Sequence, residues 1–247
     1  MRLSISGSTL ERRVLSGLLG FLVMGTFWYL MRAGGTRTLG AYATSLSGRS
    51  PEQIANISRA ARLVDGVKIL PGQEFSLNKA LGSQSFREGW EEAEVIVNGE
   101  VKKAAGGGVC QLASTLYNAI LLADLPVTER HAHSRPVSSV PPGRDAAIAL
   151  GIADLRFKNN RSTPVTLSVG VLGKLLSVEM KGPGKLPGNV TIETSTAASG
   201  VNLKATVWKK TEGSSGRELV SEDTYRAALP SAKRALPENQ RHNSSAR

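Results

Sequence analysis

Short extended runs separated by turn-forming pairs recur along this chain, and that punctuation limits the folds open to it more than any other feature. Asn98-Gly99 sits between Val95-Ile96-Val97 and Glu100-Val101, a combination that favours a type I′ turn and a two-stranded hairpin. Asn159-Asn160 turns one extended run into residues 164–171, and Gly173-Lys174 turns that run into residues 175–181. Residues 190–196, 203–209 and 218–225 read as further strands after a Pro/Gly-rich stretch. High glycine and low aromatic content agree with a fold rich in strands and turns.

Two segments carry the helical period instead. Ser50-Pro51-Glu52-Gln53 offers an N-cap, a proline at the first helical position and a capping-box glutamine. Ile54, Ile57, Ala61 and Val64 follow at helical spacing, and Gly66 stops the helix. A second helix begins near Cys110 and runs to about Ala123, with Leu112, Leu116, Ala119, Ile120 and Ala123 on one stripe. Residues 67–70, 127–134 and 145–157 complete the extended set. The fold class expected is α+β, with mixed or antiparallel sheets and a few helices, one of them capped by a glycine-rich loop.

Residues 14–31 are free of charge and follow Arg12-Arg13, a length and flank that predict an N-terminal transmembrane helix. The basic flank predicts a cytoplasmic N-terminus and an external C-terminal part, hence a single-pass protein of the cell membrane. A cleavable signal ending at Ala41-Tyr42-Ala43 is the rival reading. The expected organisation is a cytoplasmic stub and membrane anchor over 1–33 and a linker over 34–50. A main domain over 51–182, a β-rich extension over 183–226 and a disordered basic tail over 227–247 follow. The net charge of +11 resides largely in the two ends, and no basic stripe is interleaved with aromatics. Nucleic-acid binding is therefore excluded.

The lone cysteine cannot form a disulfide within the chain. Cys110 follows Gly106-Gly107-Gly108-Val109 at what reads as the first turn of a helix, where the helix dipole favours a thiolate. His131, His133 and then Asp145 come next among the chemically versatile side chains. A thiol, a histidine that accepts its proton and an acid that orients the imidazole form the logic of a cysteine nucleophile, here Cys110, His133 and Asp145. Gly106, Gly107 and Gly108, through their amides, and Gln111 could stabilise an oxyanion. Arg130 and Arg144 could bind a carboxylate or phosphate on a substrate, as could Arg135. Two other readings stay open. Residues i and i+2 of a strand share a face, so Glu129, His131 and His133 could bind a divalent metal such as zinc. The cysteine could also be a small buried residue opening a core helix, with no cofactor implied.

Residues 56–181 resemble the VanW family, named for a protein encoded with vancomycin B-type resistance genes. The resemblance is carried by Leu70-Pro71-Gly72-Gln73-Glu74-Phe75-Ser76-Leu77-Asn78-Lys79 and by Val95-Ile96-Val97-Asn98-Gly99. It continues through Gly106-Gly107-Gly108-Val109-Cys110-Gln111-Leu112-Ala113-Ser114-Thr115-Leu116-Tyr117-Asn118-Ala119 and Glu129-Arg130-His131-Ala132-His133-Ser134-Arg135-Pro136-Val137. Val140-Pro141-Pro142-Gly143-Arg144-Asp145-Ala146 and Phe157-Lys158-Asn159-Asn160 close it. Ser139 stands where tyrosine is common in the family, and Ala147 where threonine is common. The resemblance implies a bacterial cell-envelope protein that acts on or binds peptidoglycan or its precursors, with a link to glycopeptide resistance. A non-catalytic wall-binding scaffold and a metal-dependent hydrolase or lyase using the His-x-His pair are the alternatives.

Overall fold

The computed structural model describes residues 35–97, 100–184, 186 and 188–226. In chain order the elements are β1 Arg37–Ser45, α1 Pro51–Val64, β2 Lys68–Ile69, β3 Glu74–Ser76, α2 Leu77–Leu81, β4 Glu92–Val97 and β5 Glu100–Ala105. Then come α3 Cys110–Leu122, β6 Val127–Glu129, β7 Arg156–Lys158, β8 Val165–Leu172 and β9 Leu175–Gly182. A final meander consists of β10 Val190–Ser199, β11 Asn202–Thr211 and β12 Glu218–Arg226.

The α+β expectation is corrected by this element list: among the described residues the fold is mostly sheet with few helices. Every strand ladder is antiparallel, so the mixed sheet is not seen either. The physical reason is local, because α2 is little more than one turn and only α1 and α3 are long enough to form a packing face. No helix among the described residues is long and apolar enough to cross a membrane. The apolar run over 14–31, the basic tail over 227–247 and the Asn98-Gly99 turn lie outside the described residues. The strands on either side of that turn, β4 and β5, pair from Val97↔Glu100 to Glu92↔Ala105.

The largest sheet has the order β1-β9-β8-β2, and three strands each form β3-β7-β6 and β10-β11-β12. Residues β8 and β9 alternate between the two faces as period-2 strands must, burying Leu167, Val169, Leu176, Val178 and Met180. Against that face pack α1 and α3. Helix α1 forms where the sequence signals it: Ser50 accepts from the Gln53 amide while the Gln53 side chain accepts from the Ser50 amide. Helix α3 is surrounded, with Leu112, Leu116, Ala119 and Ile120 all fully buried. Residues 37–45, expected within a linker, form β1 and pair with β9 across the whole strand.

The loop leading into α3 is held from two sides. Asn56 of α1 donates to the carbonyls of Glu91 and Gly107, both at 3.0 Å, and accepts from the Glu91 amide at 2.8 Å. A Cβ at Gly107 would lie 2.5 Å from the carbonyl carbon and oxygen of Ala93, so only glycine lets the loop lie on β4. Gly108, at φ 98°, adopts a left-handed conformation that other residues rarely take. Gly107→Ala is therefore expected to destabilise the protein by about 1–3 kcal/mol through overpacking alone. Thermal unfolding of the variant measures it, and a melting temperature equal to that of the parent would contradict the close approach.

Candidate functional site

Cys110 opens α3, and the next two turns of the helix present Ser114 and Asn118 on the same side. These polar groups hold the strandless segment that carries Asp145. The Ser114 hydroxyl accepts from the Ala146 amide at 3.0 Å, and the Asn118 amide donates to the Arg144 carbonyl at 2.8 Å. Both chain neighbours of Asp145 are thus fixed to the helix that begins with the cysteine. The signal was present in the sequence as polar residues four and eight positions after Cys110, on the helix face that Cys110 begins.

Asp145 is fully buried and satisfied on every side. Its Oδ2 accepts from the His133 amide at 2.8 Å and from His133 Nδ1 at 2.6 Å. Its Oδ1 accepts from the Tyr225 hydroxyl at 2.5 Å and from Arg130 Nη2 at 3.2 Å. Tyr225 lies in β12, and its hydroxyl also accepts from the Gly143 amide at 2.6 Å. With Nδ1 engaged, the other imidazole nitrogen of His133 is the one left to interact with the Cys110 thiol. The thiol sulfur also lies 3.7 Å from the Ile148 carbonyl oxygen.

The charges follow from this arrangement. Burial alone would push the Cys110 thiol up, but the hydrogen bond and positive charge of His133 outweigh it and bring the thiol below its ordinary value. Burial pulls His133 down, yet the Asp145 carboxylate and the cysteine raise it to about 9. Asp145, which burial would raise, is held below the usual carboxylate range by His133 and Tyr225. All three directions favour a thiolate beside an imidazolium over a neutral pair at neutral pH. The site opens into a cavity of about 390 Å3, lined among others by Arg49, Gln53, Glu94, Cys110, His133 and Ser139.

Cys110, His133 and Asp145 therefore come together, and Gly106 and Gly108 line the same cavity. Gln111 lines it too, but its amide is already engaged. It donates to Thr44 Oγ1 at 3.0 Å and to the Ser45 carbonyl at 2.8 Å, and accepts from Arg49 Nε at 2.6 Å. Arg130 and Arg144 face inward. Arg130 forms ion pairs with Asp145 and with Asp223 of β12, the latter at 2.6 Å, and it lies over the Tyr117 ring. Arg144 donates to Asn118 Oδ1 at 2.5 Å and stacks on Tyr42. Neither lines the cavity that Cys110 faces.

The His-x-His reading requires a regular strand through residue 133, and β6 ends at Glu129 after a register shift. His131 sits in an isolated bridge to Ala147, and its Nε2 is 3.0 Å from Glu129 Oε1 in solvent. His133 is buried against Asp145, so the two rings do not converge. Among the described residues no group of three His, Cys, Asp or Glu side chains is placed to hold a metal ion. Tyr225, Asp223, Ser114, Asn118, Asn56 and Arg49 were not singled out by the sequence reading. The first two lie about 80 residues or more from the groups they hold.

A sequence profile of the family described as VanW like protein matches residues 52–181. The uncharacterized protein YoaR of Bacillus subtilis is 33% identical over 172 residues, which cover 64% of this chain and 57% of that protein. The vancomycin B-type resistance protein VanW of Enterococcus faecalis is 27% identical over 113 residues, covering 44% of this chain and 41% of that protein. The chain spans about half the length of the curated relatives it matches. No solved structure matches it.

Proposed function

The chain belongs to the VanW family, and from that premise we propose that it is a cell-envelope thiol enzyme acting on peptidoglycan or its precursors. The observation that carries the reading is the Cys110 thiol beside His133, whose Nδ1 is 2.6 Å from the buried Asp145 carboxylate, at the wall of a cavity. The relative whose name carries vancomycin resistance supports a substrate in wall chemistry.

The arrangement suits acyl transfer. The Cys110 thiolate attacks an amide carbonyl, a C–S bond forms and the oxyanion sits near the positive end of α3. The C–N bond then breaks as the His133 imidazolium gives its proton to the leaving amine. Water, deprotonated by the neutral imidazole, hydrolyses the thioester to a carboxylic acid and returns the thiol. Asp145 holds the imidazole in the tautomer and orientation that each transfer needs. Tyr225 and Arg130 position Asp145.

The test is the intact mass of the protein after incubation with purified peptidoglycan fragments. An acyl adduct on Cys110 together with released amine is expected. Turnover should follow a bell with pH. The lower limb lies below the ordinary thiol range, because the thiol is depressed, and the upper limb falls as His133 loses its proton at about 9. Equal product from Cys110→Ser, or turnover that rises steadily through pH 10, would overturn the mechanism. Wall fragments bound without any adduct or product would make the protein a binding module instead.

A further inference from the structure

Among the described residues Arg49 is the only arginine on the wall of the cavity that Cys110 faces. Arg130 has its charge answered within the protein by Asp145 and Asp223, and Arg144, which donates to Asn118 and stacks on Tyr42, does not line this cavity. Arg156 is answered likewise by Asp154, Glu129 and Glu74. Among the described residues no carboxylate lies within ion-pair distance of Arg49, although Glu94 lines another part of the cavity. Among the described residues its side chain has one hydrogen bond, from Nε to Gln111 Oε1 at 2.6 Å. Gln111 is in turn fixed by Thr44 and Ser45, so the guanidinium is anchored through its Nε and keeps its terminal amines as donors. Burial pulls Arg49 below its ordinary value with no opposing carboxylate, as expected for a cation awaiting an external partner.

Gln111 directly follows the cysteine in sequence, so the anchored guanidinium is tied to the residue beside the nucleophile. A planar guanidinium matches a carboxylate in shape and charge, and a single cation in the wall answers one negative charge better than the nearly two of a phosphate monoester. We infer that Arg49 is the carboxylate-recognising residue of this cavity, and that the thiol site takes acyl substrates bearing a free carboxylate beside the scissile bond. The inference rests on the thiol-enzyme reading for its chemistry, and on Arg49 itself for its specificity. It also moves anion recognition away from Arg130 and Arg144, which the protein uses internally.

The experiment compares alkylation of Cys110 by iodoacetate, an anion, with alkylation by neutral iodoacetamide. The ratio of the two rates is expected to fall about tenfold in Arg49→Gln and to stay close to the parent value in Arg49→Lys, as one lost charge contact implies. A ratio unchanged in Arg49→Gln overturns the assignment. Titration calorimetry of the unaltered protein gives a second readout that needs no variant to fold and no reactive thiol. N-acetylalanine should bind, and its amide should not. Equal binding of both, binding of neither, or binding of inorganic phosphate in place of N-acetylalanine overturns it as well. Slow alkylation by both reagents in the parent protein, with N-acetylalanine still bound, would sink the thiol mechanism and leave the carboxylate site standing.

Discussion

Replacing His133 with glutamine is expected to slow alkylation of Cys110 at pH 7 by about a hundredfold. The thiol is half-buried, and burial by itself raises it. What lowers it is the hydrogen bond and charge of His133, which glutamine cannot supply because it carries no proton to share as a cation. Glutamine can still donate to the Asp145 carboxylate, so the acid keeps a partner and the fold keeps its packing. With the imidazolium gone, the thiolate fraction at neutral pH falls, because burial then raises the thiol with no cation beside it. Alkylation by iodoacetamide followed by mass spectrometry measures the rate. A variant that reacts within threefold of the parent would mean that the helix start alone activates the thiol. The rise of the rate with pH should be displaced to higher pH in the variant than in the parent.

Arg130→Met is expected to destabilise the protein by about 3–5 kcal/mol, the range for breaking a buried ion pair on one side. Arg130 and Asp145 are almost wholly buried and Asp223 is nearly so. Methionine keeps much of the volume over the Tyr117 ring but leaves two carboxylates facing each other's field without the cation between them. The sign of the pH dependence follows from Asp145. Its carboxyl is held below its ordinary value in the fold, so its stabilising contribution is present above the ordinary carboxylate range and lost as pH falls through the depressed value. Protonation removes the charge that Arg130 answers, so the gap between variant and parent should narrow in acid. Urea unfolding at pH 7 and at steps from pH 4 downward measures both. A loss under 1 kcal/mol at pH 7 would mean that Tyr225 and His133 hold Asp145 without help.

Local chemistry made the hairpins and one helix readable in advance. Gly173-Lys174 turns β8 into β9 because a glycine at φ 58° reverses the chain there, and the capping box starts α1 within its own first turn. Strand β1 was not readable in the same way. Its segment, Arg-Thr-Leu-Gly-Ala-Tyr-Ala-Thr-Ser, has little apolar alternation, and its strand form depends on pairing with β9 far along the chain. Gly40 within it looks like linker composition, yet a Cβ there would lie 2.3 Å from the Ala123 amide nitrogen, so it is a packing requirement against α3. The order Cys110, His133, Asp145 could be seen in sequence, since all three stand among the motif blocks. Their support could not, because Tyr225 and Asp223 act from a sheet about 80 residues downstream. The histidine pair failed as a strand face for a similar reason: β6 stops early, and His131 and His133 are oriented by contacts to Glu129 and Asp145, not by a pleat.

The distance along the chain between Tyr225 and Asp145 also sets an order of events during synthesis. Cys110, α3 and the histidine segment emerge well before β12, which supplies both Tyr225 and the Asp223 carboxylate that answers Arg130. Contacts of such long separation close late, after the local hairpins and helices have formed. Until β12 docks, Asp145 lacks its hydroxyl partner and Arg130 lacks its second carboxylate. A growing chain therefore carries the three reacting residues before it carries the strand that braces them.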